Sequence, residues 1–265
     1  MSYGAELAFA KELAGEAGEI MRQYFRSEDI NTEWKEDNSP LTVADTTINS
    51  LVIERVKKKF PGHGVIGEEE SLEASGGYVW VVDPIDGTVP FSLGVPISTF
   101  SIALVDRSDG QPVVAVVYDP FLDHLYTAEK DKGVFLNGKR LKTDDASSLK
   151  QKYVFVAGWL GHKSVFDPHK CIEDIRSQKG KIISVASFIY FGSKIASGEL
   201  VGAISDGSSV WDVVTVRLFV EEAGGIMTDY NGDSQRYDGP TRGMIAASNK
   251  KIHGQLLKIV NEARI

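Results

Sequence analysis

The chain has 265 residues, 42 % of them hydrophobic and 25 % charged, the proportions of a folded globular protein rather than a disordered or fibrous one. Its 29 Lys and Arg against 37 Asp and Glu leave a net charge of −8, which argues against non-specific nucleic-acid binding. A single cysteine, Cys171, excludes an intrachain disulfide framework, and no apolar run approaches the length of a membrane helix.

The N-terminal stretch lacks a basic region followed by an apolar one, so no signal peptide is expected and a cytoplasmic protein is the default. From Ala5 to about Phe25, Leu7, Leu13, Ile20 and Met21 can share one face of an amphipathic helix. Residues 31–41 are polar and end in Pro40, which predicts a loop or hairpin. A second helix is expected from Thr42 or Val43 to Lys59, stopped by Pro61 and Gly62. Tyr78–Val82 is a continuous apolar run, the mark of a buried strand. Ser98–Val105, Val113–Tyr118 and His124–Glu129 follow as strands, and Asn137-Gly138 signals a hairpin between Val134–Leu136 and Lys139–Leu141. The second half alternates strands (Tyr153–Ala157, Lys181–Val185, Leu200–Ile204, Met244–Ala247) with helices (His169–Ser177, Ile189–Ala196, Asp212–Ala223, Lys250–Ala263). A meander followed by alternation implies two stacked α/β lobes, 1–145 and 146–265.

Three acidic clusters stand at the ends of predicted elements: Gly67-Glu68-Glu69-Glu70 after Val65-Ile66, Asp83-Pro84-Ile85-Asp86-Gly87-Thr88 after the buried strand, and Trp211-Asp212 before an apolar helix. A carboxylate at the end of a buried strand needs a cation or several donors. Asp83 and Asp86, three residues apart across a proline-stiffened turn, can converge on one point. An oxygen-only donor set suits a hard cation such as Mg²⁺, and five His with one Cys argue against zinc. Gly87 permits close backbone approach, so the Gly87 and Thr88 amides can face a phosphate if a short helix starts there. Each cluster also has a plainer reading: Asp-Pro and Asp-Gly are common in turns, Glu68–Glu70 can be a solvated face, and Asp212 can be a helix N-cap.

Taken together, Gly67-Glu68-Glu69, Trp80–Phe91 with its Asp-Pro-Ile-Asp-Gly-Thr core, and Trp211-Asp212 followed by Glu222-Ala223-Gly224-Gly225 resemble the signatures of the inositol monophosphatase family. Asn38–Asp45 resembles that family's N-terminal motif and Ala246-Ala247-Ser248-Asn249 its last strand and turn, so the likeness spans nearly the whole chain as one domain. The resemblance implies a layered αβαβα sandwich of the α/β class, commonly a homodimer. It implies a Mg²⁺-dependent, Li⁺-sensitive phosphatase acting on a small phosphorylated metabolite through water activated by two to three ions, with Mn²⁺ able to substitute and Ca²⁺ inhibitory. By the same likeness, Glu68, Asp83 and the Ile85 carbonyl would hold one ion, and Asp83, Asp86 and Asp212 a second. A weaker third would sit by Glu68, with Asp45 in its outer shell. Gly87 and Thr88 amides would hold phosphate oxygens, and Thr88 with Glu69 or Asp45 would orient the attacking water. Asp86, Gly87, Thr88, Ala186, Ser187, Ser205 and Asp212 would meet substrate.

Several positions depart from the family pattern. Pro90 stands where Asn is usual, Ser187-Phe188 where small residues are usual, and Val214-Thr215 where small residues follow Trp-Asp. Phe188 can either stack on a substrate ring or belong to the core. Ser205, with Asp206 beside it, occupies the place of an acid that contacts sugar hydroxyls in inositol-specific members. Inositol 1-phosphate is the default substrate. Fructose 1,6-bisphosphate, histidinol phosphate and 3′-phosphoadenosine 5′-phosphate are alternatives, with Lys194 and Arg217 as candidates for a second-phosphate pocket. A different class, a regulatory scaffold that keeps the fold, is disfavoured because all four carboxylates Glu68, Asp83, Asp86 and Asp212 are present.

Overall fold

The computed structural model describes residues 2–27, 32–34, 40–157, 164–207 and 209–265. Asn38 and Ser39 of the N-terminal motif lie outside the described residues. The predicted first helix is α1 (Gly4–Tyr24). The segment before the second helix forms an antiparallel pair, β1 (Thr32–Trp34) and β2 (Pro40–Thr42), followed by α2 (Val43–Lys59). Next come β3 (Gly64–Gly67), β4 (Tyr78–Asp86) and the short α3 (Thr88–Ser92). The meander is β5 (Thr99–Asp106), β6 (Gln111–Asp119), β7 (His124–Glu129), β8 (Gly133–Leu136) and β9 (Lys139–Arg140). The second half runs β10 (Tyr153–Val156), α4 (Pro168–Ser177), β11 (Lys181–Ile183), α5 (Phe188–Ala196), β12 (Gly202–Ser205), α6 (Val210–Glu222), β13 (Ile226–Thr228), β14 (Met244–Ala247) and α7 (Lys250–Glu262).

Strands β3 to β9 form a seven-stranded sheet in chain order, parallel only between β3 and β4. A five-stranded sheet has the order β11-β10-β12-β14-β13. Side-chain alternation decides what covers each face. Trp80, Val82, Ile102, Leu104, Val114 and Val116 pack with α1 and α2 through Phe9, Leu13, Met21, Ile48 and Val52. Their neighbours Val79, Val81, Ala103, Val105, Ala115 and Val117 turn the other way, onto α5 and α6, and that cluster continues into Phe155, Ala203 and Ala246 of the second sheet. The far face of the second sheet, with Val154, Ile204 and Ile245, is covered by α4 and α7 through Cys171, Ile175, Ile252 and Leu256. The layers are therefore α1/α2, sheet, α5/α6, sheet, α4/α7, which is the αβαβα sandwich. Because β4 is buried on both faces, its first half reads as an unbroken apolar run rather than an alternating one.

Three local expectations are corrected. The strand beginning at Tyr78 does not stop at Val82; it continues to Asp86 with a break in register between Asp83 and Asp86. Pro84, which has no N–H to give the ladder, lies at that irregularity. The helix carrying Asp212 begins at Val210 with Ser209 as its N-cap residue, so Asp212 is the third residue of α6 rather than its cap. It remains in the first turn, at the positive end of the helix. Strands β3 and β13 were not among the expected strands. At four and three residues, both bordered by glycine, they are too short to show a period.

Candidate active site

The loops that carry the acidic clusters meet at one end of the seven-stranded sheet. Asp83 and Asp86 come from the irregular end of β4, Glu68 and Glu69 follow β3, Asp45 stands in the first turn of α2, and Asp212 in that of α6. Asp83 is 2 % exposed and Asp45 1 %. Burial holds the Asp83 carboxyl well above the usual carboxylate range, and the charges of Glu68, Asp86, Asp212 and Asp45 push it further. Asp45 is pushed up to about 7 by burial, with Glu68 and Glu69 adding to the rise and the hydrogen bonds from Thr42 opposing it. Both the backbone N–H and the hydroxyl of Thr42 donate to Asp45 Oδ2. Carboxylates from all three clusters of the sequence thus act on one buried group, Asp83, together with Asp45.

Asp86 sits differently. It is 5 % exposed and faces the N-terminus of α5. Its Oδ1 accepts from the Phe188 N–H at 2.6 Å, and its Oδ2 from the N–H groups of Ile189 and Tyr190, both at 3.0 Å. The Ser187 hydroxyl lies 2.8 Å from Oδ2 and 2.7 Å from the Ile97 carbonyl, and Thr99 Oγ1 adds a longer contact at 3.4 Å. Burial raises the Asp86 carboxyl while the donors at Tyr190, Ser187, Phe188 and Ile189 pull it down. A carboxylate at a helix N-terminus takes up orphan N–H groups and a favourable dipole together.

Gly87 follows in the left-handed region, φ 83°, which lets the chain turn from β4 straight into α3. The Thr88 hydroxyl donates to the Ile85 carbonyl at 3.1 Å. Thr88 and Val89 open the helix, where N–H groups have no partner within the helix. Pro90 is the third residue of α3, so the donor it lacks is one the helix does not use. A Cβ on Gly87 would come 3.0 Å from Ser187 Cβ, which places the start of α5 beside the start of α3. Ser187 is buried, with its hydroxyl held between Asp86 and Ile97, while Ala186 before it is half-buried.

The substrate-side departures also find their places. Ser205 is buried at the end of β12 and its hydroxyl accepts from the Gly207 N–H at 3.0 Å. A Cβ on Gly207 would lie 3.3 Å from Ser205 Oγ and 4.0 Å from Asp212 Oδ2, so Ser205 adjoins the carboxylate cluster. Asp206 accepts from the Ser164 hydroxyl. The Phe188 ring packs edge-on against Phe155 at 5.3 Å and against the cluster between the sheets, so it belongs to the core. Lys194 ion-pairs with Glu199 and lies over Tyr190 and Tyr126; Arg217 pairs with Glu221 and donates to the Met227 carbonyl. The charges that weigh most on Asp83 are all acidic.

One contributor was not visible in the sequence. Asn49, one turn after Asp45 on α2, donates from Nδ2 to the Glu70 carbonyl at 3.0 Å and accepts from the Glu69 N–H at 3.4 Å. It clamps the loop that presents Glu68 and Glu69. Gly67 makes room for it, since a Cβ there would lie 2.3 Å from both Asn49 Oδ1 and the Glu70 carbonyl. Gly67→Ala is therefore expected to destabilise the protein by about 1–3 kcal/mol, the usual overpacking range, in urea unfolding.

The chemistry of the donor set fits a hard divalent cation. Asp83 Oδ1 is buried without a hydrogen-bond partner, and the carboxylates facing it are oxygen donors with no soft ligand among them. Among the described residues, no three His, Cys, Asp or Glu side chains close into a ready-made cage.

Known proteins resemble the chain over nearly its whole length. A model of the inositol monophosphatase family matches residues 5–264. The chain is 32 % identical over 262 residues to a histidinol-phosphatase of Chlorobaculum parvum, covering 98 % of each chain. It is 33 % identical over 267 residues to inositol monophosphatase 2 of Solanum lycopersicum, covering 96 % of this chain and 97 % of that one. Among solved structures, an IMPase of Thermotoga maritima superposes with a TM-score of 0.86 at 26 % identity over 97 % of each chain. With the fold, the order of its acidic loops and these matches in agreement, the chain belongs to the inositol monophosphatase family.

Proposed function

We propose that the protein is a Mg²⁺-dependent phosphomonoesterase that releases inorganic phosphate from a small metabolite carrying one phosphate. The observation that carries this reading is the buried, unpartnered Asp83 Oδ1 with Glu68, Asp86, Asp212 and Asp45 all acting on it. Glu68, Asp83, the Ile85 carbonyl, Asp86 and Asp212 would hold two to three ions. Bound divalent cations would lower the pKa of water and offset the charge of the phosphate and leaving oxygens. The chain's own groups do the rest. The first-turn amides of α3 receive phosphate oxygens. The Thr88 hydroxyl, which gives its hydrogen to Ile85, offers its lone pairs to a water, and Asp45 or Glu69 takes part in aligning that water.

The substrate reading rests on charge. Lys194 and Arg217 are engaged with Glu199 and Glu221, which leaves a second phosphate without those counter-charges and favours a monophosphate over a bisphosphate. Inositol 1-phosphate is the default. Histidinol phosphate is the second reading, favoured by the likeness to a histidinol-phosphatase and by the neutral Ser205 at the place of a hydroxyl-binding acid. A homodimer and a cytoplasmic location belong to the same proposal. The test is phosphate release with and without Mg²⁺ from inositol 1-phosphate, histidinol phosphate, fructose 1,6-bisphosphate and 3′-phosphoadenosine 5′-phosphate. Mg²⁺-dependent release, greatest from one of the two monophosphates, is expected. Preference for a bisphosphate would refute the charge argument, and release from none would refute the proposed activity.

A further inference from the structure

The face of β4 and β5 that looks at α5 and α6 is apolar along most of its length, with Val79, Val81, Ala103 and Val105 packed against Val213, Val216 and Phe219. Two hydroxyls interrupt it near the carboxylates. Ser101 stands directly opposite Asp83 in the β4–β5 register, so the two share a face, with Cβ atoms about 4.5–5.5 Å apart as in any such pair. Thr215 lies three residues after Asp212 on α6, and so on the same helix face. One turn further, Phe219 meets Tyr126 of β7 at 6.1 Å, which shows that this face of α6 looks onto the sheet. Ser101 is 1 % exposed and Thr215 0 %. Neither hydroxyl has a hydrogen-bond partner. Thr215 forgoes even the bond to the carbonyl one turn earlier that a helical Thr commonly makes. The third unpartnered atom here is Asp83 Oδ1.

We propose that Ser101 and Thr215 are positioning residues for Asp83, whose hydroxyls supply the hydrogen bonds that Oδ1 requires when the carboxylate holds a divalent cation. The inference rests on the reading of the site as a metal centre. A ligating carboxylate is normally hydrogen-bonded in turn, and removal of such a partner weakens metal binding about 10–100-fold. None of the three atoms is bonded to another in the metal-free fold, and a rotation about χ1 moves each hydroxyl oxygen while the backbone stays in place. An apolar side chain at either place would leave a charged oxygen buried against carbon. Thr215, one of the departures after Trp-Asp, thereby acquires a role that the small residue usual at that place cannot fill.

The experiment is calorimetric titration of Mg²⁺ into the metal-free full-length protein and its Ser101→Ala, Thr215→Val and Thr215→Ser variants, with metal-free melting temperatures measured alongside. Ser101→Ala and Thr215→Val are each expected to weaken Mg²⁺ binding about tenfold. Thr215→Ser, which keeps the hydroxyl, should bind nearly as the wild type does. The metal-free melting temperature of Thr215→Val should be no lower than wild type, because an unpartnered hydroxyl gives way to an isosteric methyl. Wild-type affinity in Ser101→Ala and Thr215→Val would overturn the proposal. So would equal weakening in Thr215→Val and Thr215→Ser, which would mark Thr215 as a packing residue. Absence of Mg²⁺ binding by the wild type would instead overturn the metal-centre reading on which the proposal stands.

Discussion

Asp83→Asn is expected to lower phosphate release about a hundred- to a thousandfold, on the scale of losing one main electrostatic contributor, and at the same time to make the metal-free protein more stable. The two effects share a cause. In the fold, Asp83 is buried, has one oxygen without a partner, and is pressed by the charges of Glu68, Asp86, Asp212 and Asp45. In the unfolded chain the same carboxylate is hydrated and far from those charges. An amide of the same shape removes the repulsion from the folded state alone. The gain should fall in the range of about 0.5–2 kcal/mol common for a single stabilising substitution. Urea unfolding without added metal measures it. A loss of stability would show that the acidic surroundings do not strain the fold. With saturating Mg²⁺ the order should reverse, since a ligand that binds only the native state stabilises the wild type and not the variant.

Asp86→Asn should abolish turnover, with the opposite effect on stability. Its two oxygens accept from the N–H groups of Phe188, Ile189 and Tyr190 and stand within reach of the Ser187 hydroxyl. A protonated carboxyl would still present two oxygens to these donors. An amide presents one oxygen and one NH₂, so whichever way it turns, a donor faces a donor. One buried N–H left unpaired costs about 1–3 kcal/mol, and the charge lost from the helix terminus adds about 0.3–1 kcal/mol. Relief of repulsion with Asp83 opposes this, but the lost pairing with the start of α5 decides the sign. Equal unfolding midpoints for the wild type and Asp86→Asn in metal-free urea melts would contradict the argument. Two aspartates three residues apart on one strand are thus expected to respond oppositely to the same substitution.

Much of this was legible in the sequence, for identifiable reasons. Tyr78–Val82 could be read as a buried strand because β4 is covered on both faces. The helices α1, α4 and α7 could be read because each presents one apolar stripe. The acidic clusters could be named because each follows or precedes an apolar element. Part of what escaped reading depended on partners distant in sequence. Asn49 matters only because the fold brings the Glu69–Glu70 loop against it. Phe188 could not be assigned to core or pocket until Phe155 was placed beside it. Lys194 and Arg217 stood as candidates for a phosphate pocket, although their partners Glu199 and Glu221 are only five and four residues further on. Asp212 was misplaced as a cap because Val210 and Trp211 give no local sign that the helix has already begun.

The seat of α5 has one more consequence. This helix touches both sheets, and its first turn is fastened by a single carboxylate of the opposite half of the chain. The amide hydrogens of Phe188, Ile189 and Tyr190 therefore form a natural gauge of how firmly the two sheets are closed on each other. In hydrogen exchange they should open together, at a rate set by release of Asp86 rather than by fraying of the helix. Any change that loosens the sandwich would register at those three positions before it reached the core.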